Sequence, residues 1–457
     1  MSIPLAWRIL VLVCLFWWGQ TCLGDELQIA SFETDVSPPL NERVGVGFQP
    51  TYQSLEHPLK AKGIVLKQGG VSYVVCSIDY TGLCGTSYDL FRDRIADGAG
   101  TTSDFVMLSA VHQHTAPTLD IDAVSLLYDK NSEQLASIRN FEETTAKKIQ
   151  DCVSEATKDF HVVSHVGSSK ALVREVASTR RLRQPDGSIK VRLSSTTDPV
   201  LQNAPEGKID PWLRTIAFYS DERILACLHY YACHPQSFYG DGRITWDVPG
   251  IARERLQKES GVFQVYFNGC GGDIAMGKYN DGTREARERL AQRLYAGMVS
   301  SVSQLEKQAA GDLEWRTSPL KFPLRSEPAF SVKYQRKILD SPTATFSRKL
   351  KAAMLLAWID RTRNRREPLQ ACCLSLGTIH LVHLPGEVFA EYQLYAQQLP
   401  KNQFVAVAAY GECGMWYIGP DRIYQDIGGY EQTWSFSGPM ESQLKKALRQ
   451  ILIPKED

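Results

Sequence analysis

Short apolar runs recur along the 457-residue chain: Val71–Ile78, Phe105–Val111, Ile224–Ala232, Val262–Asn268, Leu374–Leu384 and Phe404–Tyr410. Each is rich in β-branched or aromatic side chains and bounded by polar or Gly-rich segments, which predicts strands. Between them lie helical patterns. Thr283–Lys307 sets Leu290, Ala291, Leu294, Ala296 and Met298 among Arg and Glu, and Phe346–Arg363 does the same with Leu350, Met354, Leu355 and Trp358. Strands alternating with helices imply a mixed α/β fold. No repeat, low-complexity stretch or Pro/Gly/Ser-rich linker interrupts the chain. Ser31–Pro454 therefore reads as one large mixed-sheet domain.

Charge narrows the function classes. Lys+Arg number 51 and Asp+Glu 51, so the balance carries no footprint for nucleic acid. With 22% charged and 10% aromatic residues the chain is not a disordered one. The segment 1–24 is separate. Arg8 precedes an apolar run, Ile9 to Trp18, too short for the roughly 20 residues that span a bilayer. Cys22-Leu23-Gly24 then places small side chains where a signal peptidase reads them. The expectation is a cleaved secretory signal, a mature chain of 25–457, and a secreted or periplasmic protein. An uncleaved anchor is the alternative. A lipid-modified Cys22 is disfavoured, because Gly19-Gln20-Thr21 lacks a large aliphatic residue. Export permits disulfides, yet Cys76 and Cys227 sit inside apolar runs where buried free thiols are the default.

Histidines are few, nine in all, and their placement is informative. In Ser109-Ala110-Val111-His112-Gln113-His114, an extended backbone would turn His112 and His114 to one side. That suits one metal ligand plus a base, two ligands, or two partly exposed imidazoles. In His229-Tyr230-Tyr231-Ala232-Cys233-His234-Pro235 the two rings face opposite ways on a strand. His234, freed by Pro235 at the strand's end, is the site candidate, and His229 reads as a core histidine. In Leu381-Val382-His383-Leu384-Pro385-Gly386-Glu387, the strand stops at Pro-Gly, and Glu387 opens an amphipathic helix to about Gln398. A carboxylate at a helix N-terminus is ordinary, and His380 and His383 read as structural. A Gly- and Tyr-rich tail, Tyr410 to Glu431, supplies phenols. His112, His234 and Glu387 share one property: each follows the carboxyl end of a separate apolar strand, the edge where α/β sheets gather ligands. Two imidazoles and a carboxylate make a zinc set that leaves a position open for water.

The same residues resemble the neutral ceramidase family, the neutral/alkaline non-lysosomal ceramidases. The resemblance runs through Ala30–Pro39, Ser77-Ile78-Asp79, the His112/His114 segment, Ala232-Cys233-His234-Pro235, Gly271-Gly272-Asp273, Leu384-Pro385-Gly386-Glu387 and the Tyr417–Glu431 tail. It implies one zinc ion held by His112, His234, Glu387 and Tyr417. It also implies His114 beside the reacting water, Tyr430 polarising the scissile carbonyl, and Arg180 contacting the substrate's polar head. The implied partner is a lipid-like N-acyl amide, with contact at a membrane surface admitted. Two departures bear on the substrate. Gly272-Asp273-Ile274-Ala275 has alanine where the family has a serine. The chain also ends at Asp457, 26 residues after Glu431, too few for the family's immunoglobulin-like C-terminal domain. The expected function is a secreted zinc-dependent hydrolase of an N-acyl, sphingolipid-like amide. The alternatives are a related zinc hydrolase for another amide or an ester, and a non-catalytic lipid- or glycan-binding relative.

Overall fold

The computed structural model describes residues 26–46, 51–364 and 367–453, so the signal segment lies outside the described residues. The apolar runs form strands, with Val71–Ile78 as expected and others trimmed to Val106–Ala110, Arg223–Tyr231, Phe263–Asn268 and Phe404–Ala408. One expectation fails. The Leu374–Leu384 run is not one strand but part of a hairpin, Leu369–Leu376 with Ile379–His383. Gly377 takes φ +59° and closes the turn, a conformation that costs glycine little.

Three sheets carry the architecture. The first orders Val106–Ala110, Val71–Ile78, Lys60–Gln68, Gln28–Asp35 and His161–Val162. The second orders Phe263–Asn268, Arg223–Tyr231, Trp212–Ser220, His165–Leu172 and Glu306–Ala309. The third orders Leu313–Leu320, Leu369–Leu376, Ile379–His383 and Phe404–Ala408. Each is antiparallel except for one parallel pair at an edge. The sheets share a buried interior in which Ile64, Val75, Phe218, Val265, Leu374 and Leu381 meet. This is a mixed α/β fold.

Helices cover the outer faces. Gly85–Ala99 and Glu133–Ala156 bury Phe91, Ile95, Ile149 and Val153 against the first sheet's Val74 and Cys76. Asp247–Ser260 and Arg284–Val302 bury Val248, Ala252, Leu290 and Leu294 beside Leu213 and Tyr266. The latter helix starts where Thr283 Oγ1 accepts from Ala286 N, a side-chain cap. It ends short of the expected Lys307, because Glu306–Ala309 leaves to pair with His165–Leu172. Phe346–Asn364 keeps its expected extent within one residue. Cys76 and Cys227 are buried free thiols, and no disulfide forms among the described residues. Among those residues no helix is long and apolar enough to cross a membrane.

Candidate metal centre and cavity

The parallel edge pairs of the three sheets end close together, and Asn268 ties the ends. Its side chain donates to Val111 O at 3.2 Å and accepts from Cys233 N at 3.3 Å, while its own carbonyl accepts from Ala409 N at 3.0 Å. His112 follows the first sheet's edge strand, His234 the second sheet's inner partner, and Glu387 the third sheet's.

Two local readings need correction. His112 is not in an extended segment: the strand stops at Ala110, and His112 has φ +73°. Its backbone N donates to Tyr80 O at 2.8 Å, and its ring stacks on Tyr410 with centroids 4.3 Å apart. His112 and His114 reach one site through this left-handed turn, not through strand alternation. Glu387 does not open a helix. Glu387–Val388 pairs in parallel with Tyr417–Ile418, and the helix begins at Ala390. The helix dipole therefore gives no account of this carboxylate.

The ring tautomers follow from backbone partners. His112 Nδ1 lies 2.5 Å from Thr81 O and His234 Nδ1 lies 2.7 Å from Gly271 O. A carbonyl can only accept, so both Nδ1 atoms carry the proton and both Nε2 atoms present lone pairs. Those lone pairs face each other at 3.0 Å. Glu387 Oε2 stands 3.3 Å from His112 Nε2 and 3.0 Å from His234 Nε2, and this buried oxygen has no hydrogen-bond donor among the described residues. Arg180 Nη1 stands 3.3 Å from His234 Nε2, but none of the three atoms donates to another, and acceptors so close repel unless a cation lies between them. Ligands about 2.0–2.1 Å from a tetrahedral zinc sit about 3.3 Å apart, close to these separations. The donor set fits a metal ion.

Electrostatics agree. Burial, helped by the Arg180 charge, pushes His234 down to about 3, so its ring is neutral. Burial raises the Glu387 carboxyl, but His112 and His234 beside it outweigh that and hold it below the usual carboxylate range. Neutral imidazoles and an ionised carboxylate are the forms that bind metal.

His114 Nε2 is 3.2 Å from His112 Nε2, and His112, His114 and His234 together form a group able to hold an ion. The ring is half-buried at the edge of a cavity of about 480 Å³. Burial, then His112, push His114 well below its ordinary range. Arg180 is buried, and its Nη1 donates to Tyr430 Oη at 2.5 Å, to Tyr417 Oη at 3.2 Å and towards His234 Nε2 at 3.3 Å. Its Nη2 donates to Ser194 Oγ at 3.0 Å. Burial raises both phenols above their ordinary values. Trp416, Trp434, Leu193 and Phe238 give the cavity apolar walls.

All seven expected site residues thus meet in one place. His229 does not: its ring is satisfied by Thr215 Oγ1 at 2.9 Å and Gln264 Oε1 at 2.7 Å inside the sheet. His383 bonds Ser109 and Tyr230, and His380 bonds Ser375 and Gln403. Ala275 pairs with Ser178 in a two-residue strand beside His234. Residues the sequence left without a role at the site are Thr81, which acts through its carbonyl, Asn268, Ser194 and Gln236; Gly271 and Tyr410 fall in segments already marked, but their contacts to the imidazoles were not. Only Asn268, a polar residue closing an apolar strand, offers a signal in the sequence.

Fold and site together define an α/β protein with an imidazole–carboxylate centre at the junction of three sheets. No protein-family model and no curated protein matches the sequence. Among solved structures the chain has the fold of neutral ceramidase. Similarity to neutral ceramidase from Pseudomonas aeruginosa has a TM-score of 0.66 at 15% identity, covering 94% of this chain and 73% of that one. A structure described as ceramidase complexed with C2 gives a TM-score of 0.67 at 14% identity, covering 94% and 74%.

Proposed function

We propose that this chain is a secreted zinc-dependent amide hydrolase acting on N-acyl, sphingolipid-like substrates, with residues 25–457 as its catalytic domain. The observation that carries the reading is the convergence of three acceptors, His112 Nε2, His234 Nε2 and Glu387 Oε2, within 3.0–3.3 Å of one another beside an apolar-walled cavity. The likeness to ceramidase structures supports the substrate class. In this reading His112, His234 and Glu387 hold one zinc ion per chain, with Tyr417 as a more labile fourth ligand. When bound, zinc supplies a Lewis acid and makes water nucleophilic near neutral pH.

The protein's own groups do the rest. His114, neutral by burial, accepts the proton of the attacking water and returns it to the leaving nitrogen. Arg180 donates to the oxygens of Tyr417 and Tyr430. Each phenol thus keeps its own proton to give onward. Tyr430 gives it to the amide oxygen as negative charge develops there, an effect typically worth about 3 kcal/mol per donor. Arg180, buried beneath both phenols, orients them and neutralises charge at the cavity floor. No protein nucleophile is needed, so Ala275 is compatible with the route.

The test is zinc quantification on purified protein joined to chelator-sensitive hydrolysis of a fluorogenic ceramide. The expected result is about one zinc per chain, lost in His112→Ala and His234→Ala and retained in His383→Ala. Full zinc occupancy in both ligand variants overturns the metal assignment. A zinc-loaded protein inert on every amide and ester tested assigns it instead as a binding relative.

A further inference from the structure

Arg180 is a buried guanidinium without a counter-ion. Among the described residues no carboxylate pairs with it, and its acceptors are neutral: the Tyr417, Tyr430 and Ser194 hydroxyl oxygens at 2.5–3.2 Å, Gln236 Oε1 at 3.5 Å and the His234 ring. Other arginines shielded from solvent are matched. Arg253 holds both oxygens of Asp79 at 2.9 Å, Arg181 holds Asp426 at 2.7 Å and Arg287 holds Glu56 at 2.6 Å. Arg192 has no acid, but it donates to four backbone carbonyls at 3.0–3.2 Å. A charge taken out of water is costly unless it is paired, so Arg180 is a cation whose partner the chain does not supply.

It faces the cavity, whose lining among the described residues holds one carboxylate, Glu387. That carboxylate is turned to the His112 and His234 rings, and a zinc ion there would take up its charge. The polar groups around Arg180 are turned to donate. Ser194 Oγ accepts from Arg180, so its own proton goes to Gln236 Oε1 at 2.8 Å. With its oxygen so engaged, Gln236 presents its Nε2 amide, which donates to nothing among the described residues. Tyr430 has its proton committed to the scissile amide in the proposed route. Gln236, another lining residue, is the donor left for a second group on the substrate. A free donor beside an unmatched cation complements a group that only accepts and carries negative charge, which is a carboxylate.

We infer that the amide this protein cleaves carries a carboxylate on the carbon next to the scissile nitrogen, as an N-acyl amino acid does. The inference rests on the hydrolase reading and narrows its substrate. Arg180 supplies the charge and Gln236 Nε2 the hydrogen bond. A sphingoid base carries a hydroxymethyl group on that same carbon, so the two substrate classes bring different groups to one place. The hydroxyl leaves the guanidinium unmatched, and the carboxylate matches it. Hydrogen bonds to charged groups are the strong class, and the expected preference for the acid is about 10- to 100-fold.

The experiment compares hexanoylglycine with hexanoylglycinamide, which differ only in a carboxylate against a neutral carboxamide, and adds a short-chain ceramide as reference. Hydrolysis is read as hexanoate released. With zinc-loaded wild type, kcat/KM for the acid should exceed that for the neutral compound by about tenfold or more. Gln236→Glu sets a like charge against the carboxylate and should cut that ratio about tenfold. Gln236→Leu removes the donor without adding charge and should cut it about threefold. Calorimetric Kd values for the same pair on His114→Ala protein give the preference without turnover. A wild-type ratio near one, with ceramide hydrolysed, overturns the inference and leaves the hydrolase reading standing. A ratio that both Gln236 variants leave unchanged overturns it too. Should Gln236→Glu fail to fold, the wild-type ratio and Gln236→Leu decide. If none of the three compounds is cleaved, the hydrolase reading falls and calorimetry decides: tighter binding of the acid upholds the carboxylate site, and equal binding overturns it.

Discussion

Asn268→Ala should weaken zinc binding although Asn268 does not touch the metal site. Its side chain closes two bonds between strand ends, to Val111 O at 3.2 Å and from Cys233 N at 3.3 Å. Val111 immediately precedes His112 and Cys233 immediately precedes His234, so the amide sets the spacing between two ligand-bearing loops. Alanine leaves one buried carbonyl and one buried N–H without partners, at about 1–3 kcal/mol each, or about 2–6 kcal/mol of folding stability. Loosening an outer support of a metal site typically costs 10–100-fold in metal affinity. Asn268→Asp is the graded control. It keeps the acceptor for Cys233 N and loses the donor to Val111 O, placing two oxygens face to face in a buried site. Stability is read by urea denaturation of metal-free protein and affinity by competition with a zinc chelator. The reasoning fails if the metal-free variant loses several kcal/mol while its zinc affinity equals wild type. In that case Asn268 serves the sheets, and the ligand loops are positioned by something else.

His114→Ala should keep its zinc and lose roughly 10²–10⁴-fold in turnover; metal loss measured in that variant would make His114 a ligand. Stability should fall with rising pH through Glu142, whose carboxyl burial raises to about 8 while Ser87 Oγ donates to it at 2.9 Å. The folded state holds that proton more tightly than the unfolded chain, so the contribution is complete below about pH 4.5 and is lost as pH rises towards 8. Urea midpoints of Glu142→Gln at pH 5 and pH 8 should accordingly lie closer together than those of wild type. Ala275→Ser should leave the zinc content unchanged and be dispensable for amide hydrolysis; activity appearing only in that variant would show the natural chain to be non-catalytic.

Strand-end logic found the site because it rests on chemistry the sequence displays. His234 and His229 have similar neighbours, yet Pro235 ends one strand while Thr215 and Gln264 wait inside the sheet for the other ring. Where the reading slipped, the deciding interaction was non-local. Glu387 looked like a helix start because Ala390–Gln398 follows closely, but Trp416 O accepts its backbone N at 2.8 Å and draws it into a strand pair. Thr81 and Gly271 orient the imidazoles through carbonyl oxygens, which every residue possesses, so no side-chain pattern could announce them. Gly377 was hidden because β-branched and apolar residues flank it on both sides.

Backbone strain marks the same junction independently of side-chain chemistry. Among the described residues, half of the left-handed backbone outside glycine falls on Asn and Asp, which tolerate it: Asn41, Asp221, Asp247 and Asn402. The exceptions include His112 at φ +73°, Tyr410 at φ +60° and Trp416 at φ +57°. Such conformations cost of order 1–3 kcal/mol each in residues of this kind. All three bear on the centre: His112 in the donor set, Tyr410 stacked on its ring, and Trp416 accepting the backbone N–H of Glu387. Tyr410 N in turn donates to Gly386 O at 2.9 Å, so the turn that strains Tyr410 also supports the loop carrying Glu387. Relaxing any one of them to an ordinary conformation would swing a ligand or its support out of line. Gly or Asn would relieve the strain at Tyr410, but neither carries the ring that stacks on His112 and meets His234 edge-on, where the imidazoles and the carboxylate lie within 3.0–3.3 Å of one another.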